Sequence, residues 1–440
     1  MRRSTLEQRS TRVSQARISL LNHHLASSFP HLTSQESAHS QLVHALSADP
    51  LRTPTHGNKV GFLDTSVGPA TLVLYYQLAH YASSLRISTS TPPFSQRECA
   101  WCARLLSDAV TVAQQDVDGA AEEDGCEVLY GRAGLLYALL LLRQSLPQAS
   151  SSSSSSGTPN GLDELKALVW PLTHSSTLKT LVDDIIRRGT AGAAQFAQET
   201  KVGDGPGLMW TWHGKRYLGG AHGAAGILDV ILHAPSHIVA PHKYVITQTL
   251  TYMLFLQDDH GNWPTHASVL LHHHPSPPPS DLVQWCHGAS GVIPLLATAL
   301  SLPSLSLSSD LRSALQHAIA RAGTLVYAHG LLRKGGGLCH GVAGSACALF
   351  ALADCGALPP AARQRYLWHG LHLVQCYVEL APRNAFNTPD RPWSLYEGSA
   401  GMCSVLAWLL GRMDAMRGEH SARVPLRSAF LGCADLMVGS

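Results

Sequence analysis

Five times this chain writes Gly-x-x-Gly and follows it with about ten apolar residues. The second glycines are Gly134, Gly226, Gly291, Gly344 and Gly401. Gly68, in Gly61-Phe62-Leu63-Asp64-Thr65-Ser66-Val67-Gly68-Pro69, marks a sixth copy that lacks the first glycine. More amphipathic stretches separate the copies, so each repeat reads as a helix pair. A helix that is apolar nearly all round is buried on both sides, whereas one with a single apolar face lies outside. Period-2 alternation is rare, which argues against strands. The pattern predicts an all-α chain: an α/α barrel, or toroid, of helical hairpins, with inner helices ringed by outer ones. Every Gly-turn opens an inner helix, so the turns should collect at one rim, where glycine lets backbones turn tightly and approach one another.

Composition is compatible with this. The chain has 440 residues, 45% hydrophobic and only 14% charged, as expected where much helix surface is buried. A net charge of +2, from 32 basic and 30 acidic residues, gives no electrostatic footprint for nucleic acid. The longest apolar run, Leu135 to Leu142, falls short of the roughly 18–20 residues of a membrane span. Ten scattered cysteines without a secretory signal point to metal binding or buried thiols rather than a disulfide framework. The Arg/Ser-rich start reads as a basic helix over residues 5–28, although it also has the look of a mitochondrial transit segment. The expected location is cytoplasmic, with peripheral association at the plasma membrane compatible and mitochondrial targeting left open. The expected organisation is a helical region over 1–60, a toroid over 61–412 and a tail over 413–440. The toroid carries an exposed Ser-rich insertion at 149–161 and a His/Pro-rich loop at 258–280.

Two of the turns carry chemistry. Trp285-Cys286-His287-Gly288 and Leu338-Cys339-His340-Gly341 place Cys-His at matched positions of consecutive repeats. Soft thiolates with imidazole suit zinc. Three ligands with an open fourth position would make a catalytic site, four a structural one, and spacing alone does not choose. His222 stands on the preceding turn, where a neutral imidazole fits a general acid/base. His272, His273 and His274 read as surface composition, and Cys99-Ala100-Trp101-Cys102 as helix packing despite its redox spacing.

These residues resemble the signatures of the LanC-like proteins, the eukaryotic relatives of bacterial lanthionine cyclases. The resemblance runs from about Gly61 to Leu410 and is carried by Leu129-Tyr130-Gly131-Arg132-Ala133-Gly134, Ala221-His222-Gly223-Ala224-Ala225-Gly226, the two Cys-His-Gly turns and Ser394-Leu395-Tyr396-Glu397-Gly398. It implies a seven-unit toroid, of which six Gly-turn units are visible here. It implies one zinc ion held by Cys286, Cys339 and His340, with His287 a neighbour, and His222 as the active-site histidine. It also implies glutathione contacts at Lys334 and at Asn387-Thr388-Pro389-Asp390, a segment that usually begins with arginine in the family.

The function implied is zinc-dependent activation of a thiol, glutathione, for addition to dehydroalanine or dehydrobutyrine in proteins or peptides. The alternative is a non-catalytic zinc- and glutathione-binding regulator associated with signalling or the membrane surface. A sugar hydrolase on the same fold would need two rim carboxylates, and only Glu397 stands in a Gly-turn.

Overall fold

The computed structural model of the chain describes residues 18–19, 21–22, 33, 35–48, 51–84, 92–115, 124–146, 161–201, 205–268 and 280–417. The serine run, His272 to His274, Cys433 and most of the helix expected over 5–28 lie outside these; residues 18–19 and 21–22 are helical.

The described chain is helical, apart from one two-stranded ribbon. The helices alternate as the repeat predicts. The inner ones are α2 (Val67–Ser84), α4 (Arg132–Ser145), α7 (Ala224–Leu232), α9 (Ala289–Ser301), α11 (Val342–Asp354) and α13 (Ser399–Arg417). The outer ones are α1 (Gln35–Ala48), α3 (Gln96–Gln115), the pair α5 (Gly161–Thr173) and α6 (Ser175–Thr200), α8 (Lys243–Phe255), α10 (Ser309–His329) and α12 (Pro360–Leu380). Each inner helix packs on the next around the ring, α2 on α4, α4 on α7, α7 on α9, α9 on α11 and α11 on α13. Most of the outer helices lean on these, most extensively α12 on α11. The chain is thus an all-α toroid of helical hairpins with six inner helices among the described residues.

Sequence decides which helix goes where. Every residue of α7, and Arg132 to Leu142 of α4, is buried. Each buried Leu, Ile or Val contributes on the order of 1.5–3 kcal/mol. The outer helix α3 instead buries one stripe, including Cys99, Cys102, Leu106 and Ala113. Both cysteines of the Cys-x-x-Cys therefore face the core, and burial pushes the Cys99 thiol up to about 11. This agrees with packing rather than redox chemistry.

The stretch 161–200 forms two helices that meet at His174, which is extended and accepts from Ser176 N–H through Nδ1, three residues past Pro171. The stretch 258–280, expected as loop, contributes His266–Ala267 to a short ribbon with Arg216–Tyr217.

The second glycine of each turn has one job. A Cβ at Gly68, Gly134, Gly226, Gly291, Gly344 or Gly401 would strike the carbonyl oxygen six residues earlier: Phe62, Val128, Gly220, Trp285, Leu338 or Leu395. Gly68 is therefore a full structural copy, despite its missing partner glycine. The turns are also linked head to tail by backbone hydrogen bonds. Val60 donates to Tyr130 (2.7 Å), Val128 to Ala221 (3.2 Å), Gly220 to Trp285 (3.0 Å), Cys286 to Cys339 (3.3 Å) and Cys339 to Tyr396 (2.8 Å).

A candidate metal centre on the glycine rim

Counting back from the second glycine puts the turns in register. Cys286 and Cys339 stand five residues before it; His222, His287 and His340 stand four before it. The hydrogen bond from Cys286 N–H to the Cys339 carbonyl lays two of these turns side by side. Their side chains meet. The ligand atoms of Cys286, Cys339 and His340 all lie within 4.8 Å of one another. Cys286 is buried, while Cys339 and His340 are half-buried. Gln284 Nε2 donates to Cys286 Sγ at 3.2 Å. The neighbouring Cys339 thiol, with His340 and His287 adding to it, holds Cys286 well below the ordinary thiol range against the opposing effect of burial. Two sulfurs and one imidazole, one sulfur braced by an amide and readily ionised, are a donor set that suits zinc with a position left open.

His287 is not in that cluster, although it stands in the same register as His340. The backbone explains why. Gly288 has φ +101°, whereas Gly341 and Gly223, which cap the equivalent turns, have φ −120° and −112°. The positive φ, which glycine alone adopts freely, redirects the chain directly after His287. Asn262 supports this variant by accepting from Ala289 N–H and donating to the Leu282 and Ser280 carbonyls. Burial holds His287 below the usual imidazole range, opposed by Cys286 and reinforced by His222, Lys334 and His266. These four groups therefore surround it on the rim.

His222 is built into a second assembly. Its Nδ1–H donates to Glu127 Oε2 at 2.9 Å. The histidine side chain is 13% exposed and the glutamate 3%. Glu127 is fixed in turn by the N–H groups of Leu129 and Tyr130. Trp212 lies flat on the imidazole, with ring centroids 3.6 Å apart and planes 4° from parallel. Trp212 is presented by a tight turn closed by mutual backbone bonds with Lys215, through His213 and Gly214 at φ 48° and 68°. Tyr217 reaches across to both His222 and His287. With Nδ1 engaged by a carboxylate, Nε2 is the nitrogen left for proton exchange with a substrate.

Lys334 is exposed on the loop before Cys339. The Asn387 N–H donates to the Arg333 carbonyl at 2.7 Å, and Gly335 lies against Asn387 and Pro389. The two residues that flank Lys334 thus lie against Asn387 and Pro389. Arg391, one residue on from Asp390, pairs with Glu397 at 3.3 Å.

Glu127, Gln284, Trp212 and Tyr217 escaped the sequence reading. One signal was available: Glu127 and Gln284 both stand seven residues before the second glycine of their turns. Trp212 and Tyr217 have no such register.

No described helix is long and apolar enough to cross a membrane. A model of the lanthionine synthetase C-like protein family matches residues 102–414. Among curated relatives, a Danio rerio protein named glutathione S-transferase LANCL1 is 29% identical over 290 residues, 64% of this chain and 59% of the relative. An Arabidopsis thaliana protein named LanC-like protein GCL1 is 29% identical over 307 residues, 69% of this chain and 60% of the relative. The matched region thus spans about three fifths of each relative. The family model covers well over half of the sequence, through all but the first of the glycine turns, and the chain belongs to the lanthionine synthetase C-like family.

Proposed function

We propose that this protein is a zinc-dependent transferase that adds a thiol, glutathione, to dehydroalanine or dehydrobutyrine residues in proteins or peptides. The observation that carries the proposal is the meeting of Cys286, Cys339 and His340 within 4.8 Å on the same rim as a carboxylate-braced histidine. The name of the Danio rerio relative supports glutathione as the thiol.

Cys286, Cys339 and His340 would hold the ion, with Gln284 as the outer partner that orients Cys286. Zinc bound there supplies an incoming thiol in its thiolate form at neutral pH. The rest falls to the chain's own side chains. Lys334 and the Asn387–Asp390 segment would position the tripeptide. Addition of sulfur to the β-carbon leaves negative charge on the acceptor's carbonyl side, and the α-carbon must gain a proton. His222, doubly protonated once it has taken up the proton that the thiol loses, delivers it from Nε2. Glu127 fixes which nitrogen faces the substrate, and Trp212 fixes the plane of the ring. The toroid that bears these groups is assigned to 61–412.

The test is adduct formation. Protein purified without chelators should carry one zinc, and with glutathione and a dehydroalanine peptide it should yield a thioether detectable by mass spectrometry. Cys286→Ala should lose both the metal and the adduct. A wild-type protein that binds zinc yet forms no more adduct than Cys286→Ala would establish the regulatory binding protein instead.

A further inference from the structure

Among the described residues no cysteine is paired in a disulfide. Burial raises the thiols of Cys99, Cys102, Cys126, Cys347 and Cys355, which makes them poor nucleophiles. Cys286 and Cys339 belong to the rim cluster. Cys376 is different. It is half-buried on the outer helix α12, and its Sγ lies 3.5 Å from Nε2 of His372, one helical turn earlier. Nδ1 of the same imidazole lies 2.9 Å from the phenol oxygen of Tyr327, on the neighbouring outer helix α10. Tyr327 is itself fixed, with its ring stacked on His369 at 3.8 Å and 8° from parallel. A thiol, an imidazole within reach of it and a third group orienting that imidazole form the constellation of an activated nucleophile. The helix spacing supplies the first contact, because residues four apart share a face. The second contact joins two outer helices, so the ring is held from both sides.

We propose that Cys376 is a reactive thiol, activated by His372 and Tyr327, whose partner is a small-molecule disulfide such as oxidised glutathione. In the step, the Cys376 S–H proton passes to Nε2 of His372, while Nδ1–H donates to the Tyr327 oxygen. The thiolate then attacks one sulfur of the disulfide. A bond forms between Cys376 Sγ and that sulfur as the original S–S bond breaks. The other half leaves as a thiolate and takes the proton back from His372. Cys376 is oxidised to a mixed disulfide, and one half of the reagent is reduced to its thiol. The carboxylate of Glu379, on the same helix face, is occupied by Gln375 at 2.9 Å and leaves the imidazole to the thiol. The site uses no residue of the rim centre and stands independently of the function proposed above.

The comparison thiol is Cys403, which is exposed but whose thiol burial raises. Full-length protein incubated with oxidised glutathione at neutral pH, alkylated at intervals and mapped by mass spectrometry, should show Cys376 gaining one glutathione about tenfold faster than Cys403. His372→Gln should slow Cys376 about tenfold and leave the Cys403 rate unchanged. Tyr327→Phe should slow Cys376 by a smaller factor. His372 is exposed, so its replacement leaves the fold intact, and an unchanged far-ultraviolet circular dichroism spectrum would verify this. Equal rates at Cys376 and Cys403, or a Cys376 rate indifferent to His372→Gln, would overturn the proposal.

Discussion

The rim holds two centres on one scaffold. In each, neighbouring glycine turns are laid together by a single backbone hydrogen bond, from Cys286 to Cys339 in one and from Val128 to Ala221 in the other. In each, the side chain seven residues before the second glycine braces the working group: Gln284 on Cys286, Glu127 on His222. They differ in what stands five residues before that glycine. The first pair of turns has two cysteines there, whereas the second has Leu129 and Ala221. Two sulfurs make a place for a metal. Without them, a carboxylate and an imidazole make a place for a proton. The repeat sets which positions reach the rim, and the residue type there, together with the local backbone conformation, decides the chemistry.

Breaking the first centre should have the largest effect. Cys339→Ala is expected to remove the zinc measured by metal analysis and to bring adduct formation to background, a loss beyond the ~10–100-fold typical of an outer-shell partner. Breaking the second should separate the two. His222→Ala should keep its zinc and lose about 100-fold in turnover, the ordinary worth of a positioned acid. If His222→Ala sheds the metal, the centres are one and the distinction fails.

Glu127→Gln sharpens the comparison further. The amide keeps the shape but does not oblige Nδ1 to carry the proton. Turnover should fall about tenfold with binding of glutathione unchanged, and the pH profile of turnover should move.

The smallest effect lies in the helices behind the turns. Helix α7, which follows His222, carries Asp229, wholly buried and with Oδ1 unpartnered. Burial holds its carboxyl above the usual value of 3.8, against the opposing pull of His233 and Thr298. The folded chain therefore keeps this proton more tightly than the unfolded chain. The stabilising contribution is complete below the unfolded pKa and is lost as pH rises through the raised folded value. Asp229→Asn should flatten the decline of the thermal midpoint from acid to neutral pH relative to wild type.

The architecture and the convergence of the two Cys-His turns were legible because both are repeated. Six glycines in register announce six inner helices, and Cys-His written twice at the same address announces a meeting point. His287 shows the limit. By register it matches His340, yet the conformation of Gly288, supported by Asn262 from another loop, carries it out of the cluster. Sequence spacing does not encode a φ angle. Glu127 was legible in principle, through the position it shares with Gln284. Trp212 was not, because its place on His222 depends on a tight turn at His213-Gly214 and on the ribbon pairing Tyr217 with His266. Such contacts are set by tertiary structure and leave no periodic trace.

The face-to-face contact of Trp212 with His222 has an optical consequence. An excited indole is quenched by an imidazolium in van der Waals contact far more strongly than by the neutral ring. The emission of Trp212 should therefore dim as His222 gains its proton and brighten as the ring gives it up. Nine tryptophans contribute to the spectrum, and a Trp212→Phe difference measurement isolates this one. The protein thus carries its own fluorophore on the group proposed to deliver the proton, and its protonation state can be followed by light, without a label and without turnover.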